Sequence, residues 1–334
     1  MLDLAELTIA VVRSLVIIVV LLTMMAYMTW FERRLLAWFQ VRIGPNKVGP
    51  AGLLQPLADA MKLFFKEDIR PRSADRLLYP LAPAIALFAA LSAFAVVPIG
   101  PTVEIAGWAV PLQVADIPVG VLYLLAASSL GVYGLVLGGW SSGSKYSLLG
   151  GLRAAAQVVS YELILGISLV GVILVSGTLS LGEIVLNQAQ SVWYIVLQPV
   201  AFILFLIAAV AETNRAPFDL PEAEQELVAG YHTEYSGMRF AMYFIGEYVA
   251  MITVSAVAAT LFLGGWSMPF LPLWLQGPWW LFIKMLFFLF LYVWLRATLP
   301  RLRYDQLMRL SWGVLLPIGL LNIAVTAIVV AALA

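Results

Sequence analysis

Residues 211–240 read AETNRAPFDLPEAEQELVAGYHTEYSGMRF, a polar interruption between two long apolar runs at 191–211 and 239–263. Six carboxylates fall in it, Glu212, Asp219, Glu222, Glu224, Glu226 and Glu234, against two bases, Arg215 and Arg239. Flanks of about 20 apolar residues are long enough to cross a bilayer, so the segment is a pool of negative charge held at a membrane surface or just inside it. Such a pool holds protons. Asp219 with Glu222 can form a capping box, and Pro221 suits a first helical turn, so a short helix is expected to start near 220. On that helix Glu222 and Glu226 share a face and Glu224 points elsewhere. Like charges this close do not all ionise cheaply, and at least one pKa is expected to rise toward neutrality. The plain alternative is a solvated acidic loop, and charge content alone does not separate the two.

Outward from this hinge, apolar windows of spanning length fall at roughly 7–31, 78–99, 117–139, 155–176, 191–211, 239–263, 278–299 and 311–333. The expected fold is therefore all-α, a polytopic membrane protein of about eight transmembrane helices in a single membrane domain, 1–334. Within it, 1–77 carries the first span and its connection, 78–210 spans two to five, 211–240 the acidic hinge and 241–334 spans six to eight. A composition of 63% hydrophobic and 11% charged residues, with a mean hydropathy of +0.96, is too apolar for a soluble globule of this length. The first 30 residues, acidic in their lead and running on for a full span, read as a retained helix rather than a cleaved signal.

Lys and Arg set the orientation. The connection 32–77 carries nine, Arg33, Arg34, Arg42, Lys47, Lys62, Lys66, Arg70, Arg72 and Arg76, while the loops near 100–116, 177–190 and 264–277 carry none. The positive-inside rule then puts the hinge on the cytoplasmic face of a multi-pass protein and both termini on the outer side. Arg13 and Lys284 lie about two turns inside their spans and are expected to snorkel outward.

Composition also limits the chemistry. There is no Cys and one His, His232, so the chain offers no thiolates for an iron–sulfur cluster and no pair of histidines for a haem. No metal, flavin or iron–sulfur cluster is expected here, and any electron transfer must take place on a partner. Zero formal net charge argues against nucleic acid as a partner.

The first connection has structure of its own. After WFERRLLAWFQVRIGPNKVGP, with a turn at Gly44-Pro45-Asn46, the stretch GLLQPLADAMKLFFKED places Leu53, Leu54, Leu57, Met61, Phe64 and Phe65 on one side of a helical wheel and Gln55, Asp59, Lys62 and Lys66 opposite. Too short to span and too two-faced for a core, it should lie at the cytoplasmic interface as an amphipathic helix. Two readings stay open: a surface anchor, or a wall for a lipophilic substrate entering from the bilayer.

Two carboxylates sit inside spans, Glu162 in VVSYEL and Glu247 in MYFIGEYVAM. Insertion scales put the cost of a charge there at about 2.5–3.5 kcal/mol, which makes such residues functional candidates. With Glu212 they lie just below the hinge, and if their helices are neighbours they form a chain of titratable groups; otherwise they are packing carboxylates neutralised by Arg. The last connection, RATLPRLRYDQLMRLSW, is a basic patch that ordinary topology mostly explains.

The wording of ETNRAPFDLPEAEQELVAGYHTEYSGM closely resembles the H subunit of the bacterial proton-pumping NADH:quinone oxidoreductase, respiratory complex I. The likeness continues through FERRLLAWFQVRIGPNKVGPAGLLQPLADAMKLFFKED, VVSYEL, RATLPRLRYDQLM and LLPIGLLN. It implies that quinone, ubiquinone or menaquinone, is the substrate, in a channel bordered by Arg33, Arg42, Asp59, Lys62, Phe64 and Arg296. Glu162, Glu212, Asp219, Glu222, Glu224, Glu226, Glu234 and Glu247 would form an acidic funnel coupling that channel to proton translocation. It further implies other membrane and peripheral subunits of the complex as partners in the respiratory chain, and the lipid bilayer of the bacterial inner membrane as the location, with both termini periplasmic. One departure is visible: the family usually has Lys after the Trp of the last connection, and here Gly313 follows Trp312. The rival readings are a homologous membrane component of a hydrogenase or formate-linked complex, and a stand-alone proton-coupled transporter. The transporter would be expected to show two similar halves, and no internal repeat is visible.

Overall fold

The computed structural model of the chain describes residues 4–105, 108–221, 228–269 and 275–333. It is all-α apart from one antiparallel hairpin, β1 (Val103–Ile105) paired with β2 (Trp108–Val110), on the face away from the hinge. Seven helical stretches among the described residues are long and apolar enough to cross a membrane. They are α1 (Leu4–Phe39), α3 (Leu78–Ala93, with a 3₁₀ turn to Val96), α4 (Gly120–Ser141), α5 (Lys145–Ser176), α9 (Gly237–Leu263), α10 (Pro278–Thr298) and the last stretch, Tyr304–Leu333. In that last stretch a π-helical turn, Ser311–Leu315, joins α11 (Tyr304–Leu310) to α12 (Leu316–Leu333).

Local sequence accounts for the ends. Gly177 and Gly264 stop α5 and α9 at φ 71° and 74°, the left-handed cap that a side chain resists. The Asp75 carboxylate accepts from the N–H groups of Leu78 and Leu77 at 2.9 and 2.8 Å, opening α3. Those two bonds, Leu78's foremost, hold its pKa below the ordinary Asp value.

The window 191–211 departs from expectation. It is broken into α7 (Tyr194–Leu197) and α8 (Pro199–Glu212), preceded by α6 (Leu181–Gln190). Pro199 lacks an N–H and starts α8 at its first turn. At 1.5 Å per residue, α8 alone covers about 21 Å, and the broken pair together about 28 Å, close to the thickness of a hydrocarbon core. The amide of Gln198 at the break is not orphaned: it donates to Thr326 Oγ1 at 2.9 Å and accepts from Asn322 Nδ2 at 3.0 Å. This polar pairing ties α12 to the break.

The core is organised around α9. Of its most apolar stretch 72% is buried, against 11% for α1 and 17% for the last helix, so α9 is the axis and those two form the rim. Phe262 on α9, Phe205 on α8 and Phe288 on α10 are all buried, and Phe262 lies 5.4 Å from the Phe205 ring.

The two intramembrane bases reach toward the outer-side loops, as expected of snorkelling, but end on backbone carbonyls. Lys284 is 7% exposed and donates to the carbonyls of Leu263, Gly265 and Ser267 at 2.6, 2.8 and 2.6 Å. It thereby serves the last carbonyl of α9, where the helix dipole favours a cation, and two carbonyls of the turn that follows. Arg13 likewise reaches carbonyls, Val114 O at 2.9 Å and Pro111 O at 3.4 Å. Lys284→Met keeps the stem and removes the bonds, so a loss of about 1.5–3 kcal/mol is expected, read as a lower unfolding temperature of the purified protein.

Candidate functional site

The first half of the hinge turns sharply after α8 and is held by backbone and amide bonds. Phe218 N–H donates to Arg215 O at 2.8 Å, and Gln157 Nε2 on α5 donates to Ala211 O at 2.8 Å and Phe218 O at 2.6 Å. This clamp aims the Arg215 side chain inward, where it is 7% exposed. Its Nη1 meets Glu32 Oε1 at 3.0 Å, its Nε meets Glu247 Oε1 at 2.5 Å, and its guanidinium lies 4.4 Å from the Tyr248 ring centroid.

Glu32 is the second node. It is 3% exposed, accepts from Tyr248 Oη at 2.6 Å and pairs with Arg296 as well as Arg215. Two carboxylates and two guanidiniums make the set formally neutral, the condition under which charges survive burial. Burial alone would lower the Arg215 pKa; Glu247 and Glu32 reverse that and hold it well above its ordinary value, so the guanidinium stays charged. One network thus ties α1, α9, α10 and the hinge together.

Beside it lies a cavity with about 120 Å³ open to water-sized molecules, enclosed by α3, α4, α5, α8 and α9. Glu212, Glu247, Ser128, Asn214 and Tyr243 are among its polar lining residues. Glu212 is hydrogen-bonded with Ser128 and close enough to Glu162 for the two to repel, while Glu162 itself accepts from the Ser129 hydroxyl. The structure therefore brings together the three acids expected below the hinge, Glu162, Glu212 and Glu247. Asp219 and Glu234 are not among the cavity-lining residues. Glu234 instead gives its backbone carbonyl to Tyr79 Oη at 2.6 Å, within a stacked pair, Tyr79 and Tyr235, whose centroids are 4.3 Å apart. Glu222, Glu224 and Glu226, with the short helix expected there, lie outside the described residues.

The second half of the hinge packs on α5 at Gly150. A Cβ there would come within 2.6 Å of the Tyr231 nitrogen and 2.7 Å of the Gly230 carbonyl carbon, both backbone. Gly150→Ala is expected to push residues 230–231 off α5 and make the hinge more susceptible to limited proteolysis in membranes than the wild type.

On the other face of α9 a cleft of about 580 Å³ opens between α1, α2 (Gln55–Phe65) and α9. The amphipathic helix is as expected, except that Leu53 and Leu54 fall in the turn before it. Its apolar side is uncovered by this chain, Phe64 being 68% exposed and Leu57 60%. Arg33 on α1 pairs with Asp59 on α2 at 2.5 Å. Arg33, Asp59, Lys62 and Phe64 all line the cleft. Arg42 is apart, bonded through Nε to Gln40 Oε1 at 2.8 Å, and Arg296 serves the Glu32 network. Phe244 and Ile245 line the cleft while Gly246 and Glu247 line the cavity, so a single turn of α9 separates the two spaces. Glu32 and Arg33 divide in the same way on α1, one toward the network and one toward the cleft.

Glu32 and Tyr248 are the members of the network that the sequence does not announce. Glu32 stands before two arginines at the end of a span, which reads as a solvated terminus; the only signal is a carboxylate in step with the apolar face of a helix.

This architecture defines a class: a polytopic helical membrane protein with a buried ion network between an open, largely apolar cleft and an acidic internal cavity. The comparisons narrow it. Residues 12–327 match the model of the NADH dehydrogenase family. Among curated relatives, the H subunit of NADH-quinone oxidoreductase from Thermomicrobium roseum is 59% identical over 98% of this chain and 97% of its own length. The H subunit numbered 2 of Geobacter sulfurreducens is 57% identical over 92% of each chain, and the H subunit of Protochlamydia amoebophila 55% identical over 91% and 92%. The chain belongs to the family of NADH-quinone oxidoreductase H subunits.

Proposed function

We infer that the chain is the membrane subunit of a proton-translocating NADH:quinone oxidoreductase that encloses most of the quinone channel and passes the consequences of quinone reduction to internal carboxylates. The observation that carries this is the placement of an apolar cleft and an acidic cavity on opposite faces of one turn of α9. A quinone, ubiquinone or menaquinone, enters from lipid along the exposed face of α2. Phe64 contacts its tail, and Arg33, Asp59 and Lys62 border the polar end, with Arg42 and Arg296 nearer the rim. Reducing a quinone takes up two protons, and negative charge developing beside Arg33 is felt one residue away by Glu32, in a medium of low dielectric. Arg215, shared between Glu32 and Glu247, transmits that change to the cavity, where Glu212 relays protons with Glu162 close beside it.

In this reading the electron donor belongs to a peripheral partner, and other membrane subunits receive the protons. The single membrane domain lies in the bacterial inner membrane, with the hinge on the cytoplasmic face and the termini periplasmic, as the distribution of Lys and Arg supports. The names of the quoted relatives favour the quinone-linked reading over the hydrogenase or formate-linked one. The test is photo-crosslinking with a quinone analogue in native membranes, followed by peptide mapping. Labelling within 53–66 is expected; labelling confined to other stretches overturns the channel assignment.

A further inference from the structure

A second cleft, of about 820 Å³, lies at the opposite end of the molecule from the acidic hinge, between α1 and α10 and beneath the β1–β2 hairpin. Its walls are apolar: Val12, Val16 and Val20 along α1, Phe282 and Met285 on α10, and Trp108 on the hairpin. Val12, Val16 and Val20 are each more than half exposed, so the chain itself leaves this groove open. One charged residue lines it, Arg13.

Arg13 is the anomaly. Its guanidinium has five donors, and the two bonds it makes go to neutral carbonyls, Val114 O and Pro111 O. Its Nε is buried and meets no acceptor, and no carboxylate pairs with it among the described residues. The two carbonyls fix the group at the head of the groove without neutralising it. Arg215, buried at the hinge, has two carboxylates beside it; Arg13 has its charge facing an apolar slot.

We propose that this groove is a binding site for an anionic phospholipid of the leaflet away from the hinge, its phosphate on Arg13 and an acyl chain along Val12–Val20 and Phe282–Met285. The groove runs beside α1 from Thr8 to Met24, about 24 Å at 1.5 Å per residue. That exceeds one leaflet of a ~30 Å core, long enough for a chain and the start of its head group. The volume falls within the roughly 300–1,000 Å³ of small-molecule sites. Trp108, 41% exposed at the head-group end, stands where an indole sits at a membrane interface. A neutral lipid would leave the guanidinium unpaired; an anionic one completes a charge-assisted pair. The bound lipid then braces α1, the helix that carries Glu32 and Arg33 at its other end.

The site is independent of the quinone assignment and is tested without measuring turnover. The whole complex, in native membranes, is equilibrated with phosphatidylglycerol carrying a photoactivatable group in its acyl chain, and in parallel with phosphatidylcholine carrying the same chain. After illumination, peptides covering 8–24 and 278–285 are quantified. The phosphatidylglycerol probe is expected to label them preferentially, and Arg13→Gln to reduce that labelling about fivefold, the order for one basic group at an anionic lipid. Val16→Trp, which fills the groove and leaves Arg13 in place, is expected to abolish labelling by both probes. Equal labelling by the two lipids, labelling unchanged in Arg13→Gln, or crosslinking of these peptides to a neighbouring protein instead of lipid would each overturn the proposal.

Discussion

Replacing Arg215 with methionine is expected to destabilise the protein by about 3–5 kcal/mol, the scale on which breaking a buried ion network by removing one partner is felt. Two carboxylates, Glu32 at 3.0 Å and Glu247 at 2.5 Å, would then be left facing one another across the space the guanidinium occupied. Glu32 keeps Arg296 and Tyr248, whereas Glu247 loses the guanidinium that lies against its Oε1. The expected readout is a sharp fall in the amount of the chain retained in membranes and in the unfolding temperature of what remains. Arg215→Lys is expected to recover part of the loss, because an ammonium keeps the charge but not the planar fork that serves two carboxylates at once. The double variant Arg215→Met with Glu247→Gln separates burial from bonding: with one carboxylate neutralised, it is expected to be less damaged than the sum of its two single variants. Additive losses would mean that Arg215 and Glu247 do not act as a pair.

The same cluster shows where sequence reasoning reaches and where it stops. The spans are legible because a bilayer demands long apolar runs and because Gly177, Gly264, Pro199 and Pro278 punctuate them. Glu162 and Glu247 are legible because a carboxylate inside such a run needs a reason. The family likeness is legible in the wording of the hinge, a match far longer and more specific than its charge, which a solvated acidic loop would also carry. Glu32 is hidden by its neighbours, since ERR at a helix end reads as solvated charge; only the fold shows that Arg33 turns to the cleft while Glu32 turns to Arg215.

The break at Gln198 is visible as a proline inside a window, yet periodicity across 191–211 reads the same whether the helix is whole or split. What decides it is tertiary, the amide of Gln198 finding Asn322 and Thr326 on a helix more than 120 residues later in the chain. Arg13 and Lys284 are legible in direction only, for the same reason: their partners are backbone carbonyls of loops and of a helix end, and no side-chain pattern announces a carbonyl.

Glu212→Gln is expected to lower quinone-dependent turnover at least tenfold while leaving the amount of assembled complex unchanged, a conservative figure against the roughly 10²–10⁴ of a positioned proton-transfer group. The amide has the shape of the acid and can keep the contact with Ser128, so the cavity loses little structure. It also relieves the repulsion from Glu162, which favours stability over the wild type if anything changes. What it cannot do is bind and release a proton. That combination separates a relay from a packing role: a carboxylate kept only to fix helices α4, α5 and α8 would lose stability on substitution and keep its turnover once assembled. Glu212→Asp, which retains the titratable group at shorter reach, is expected to fall between the two. Turnover and proton uptake measured on the same vesicles decide it, and a Glu212→Gln enzyme that reduces quinone and moves protons at the wild-type rate would show that the protons travel by carboxylates other than this one.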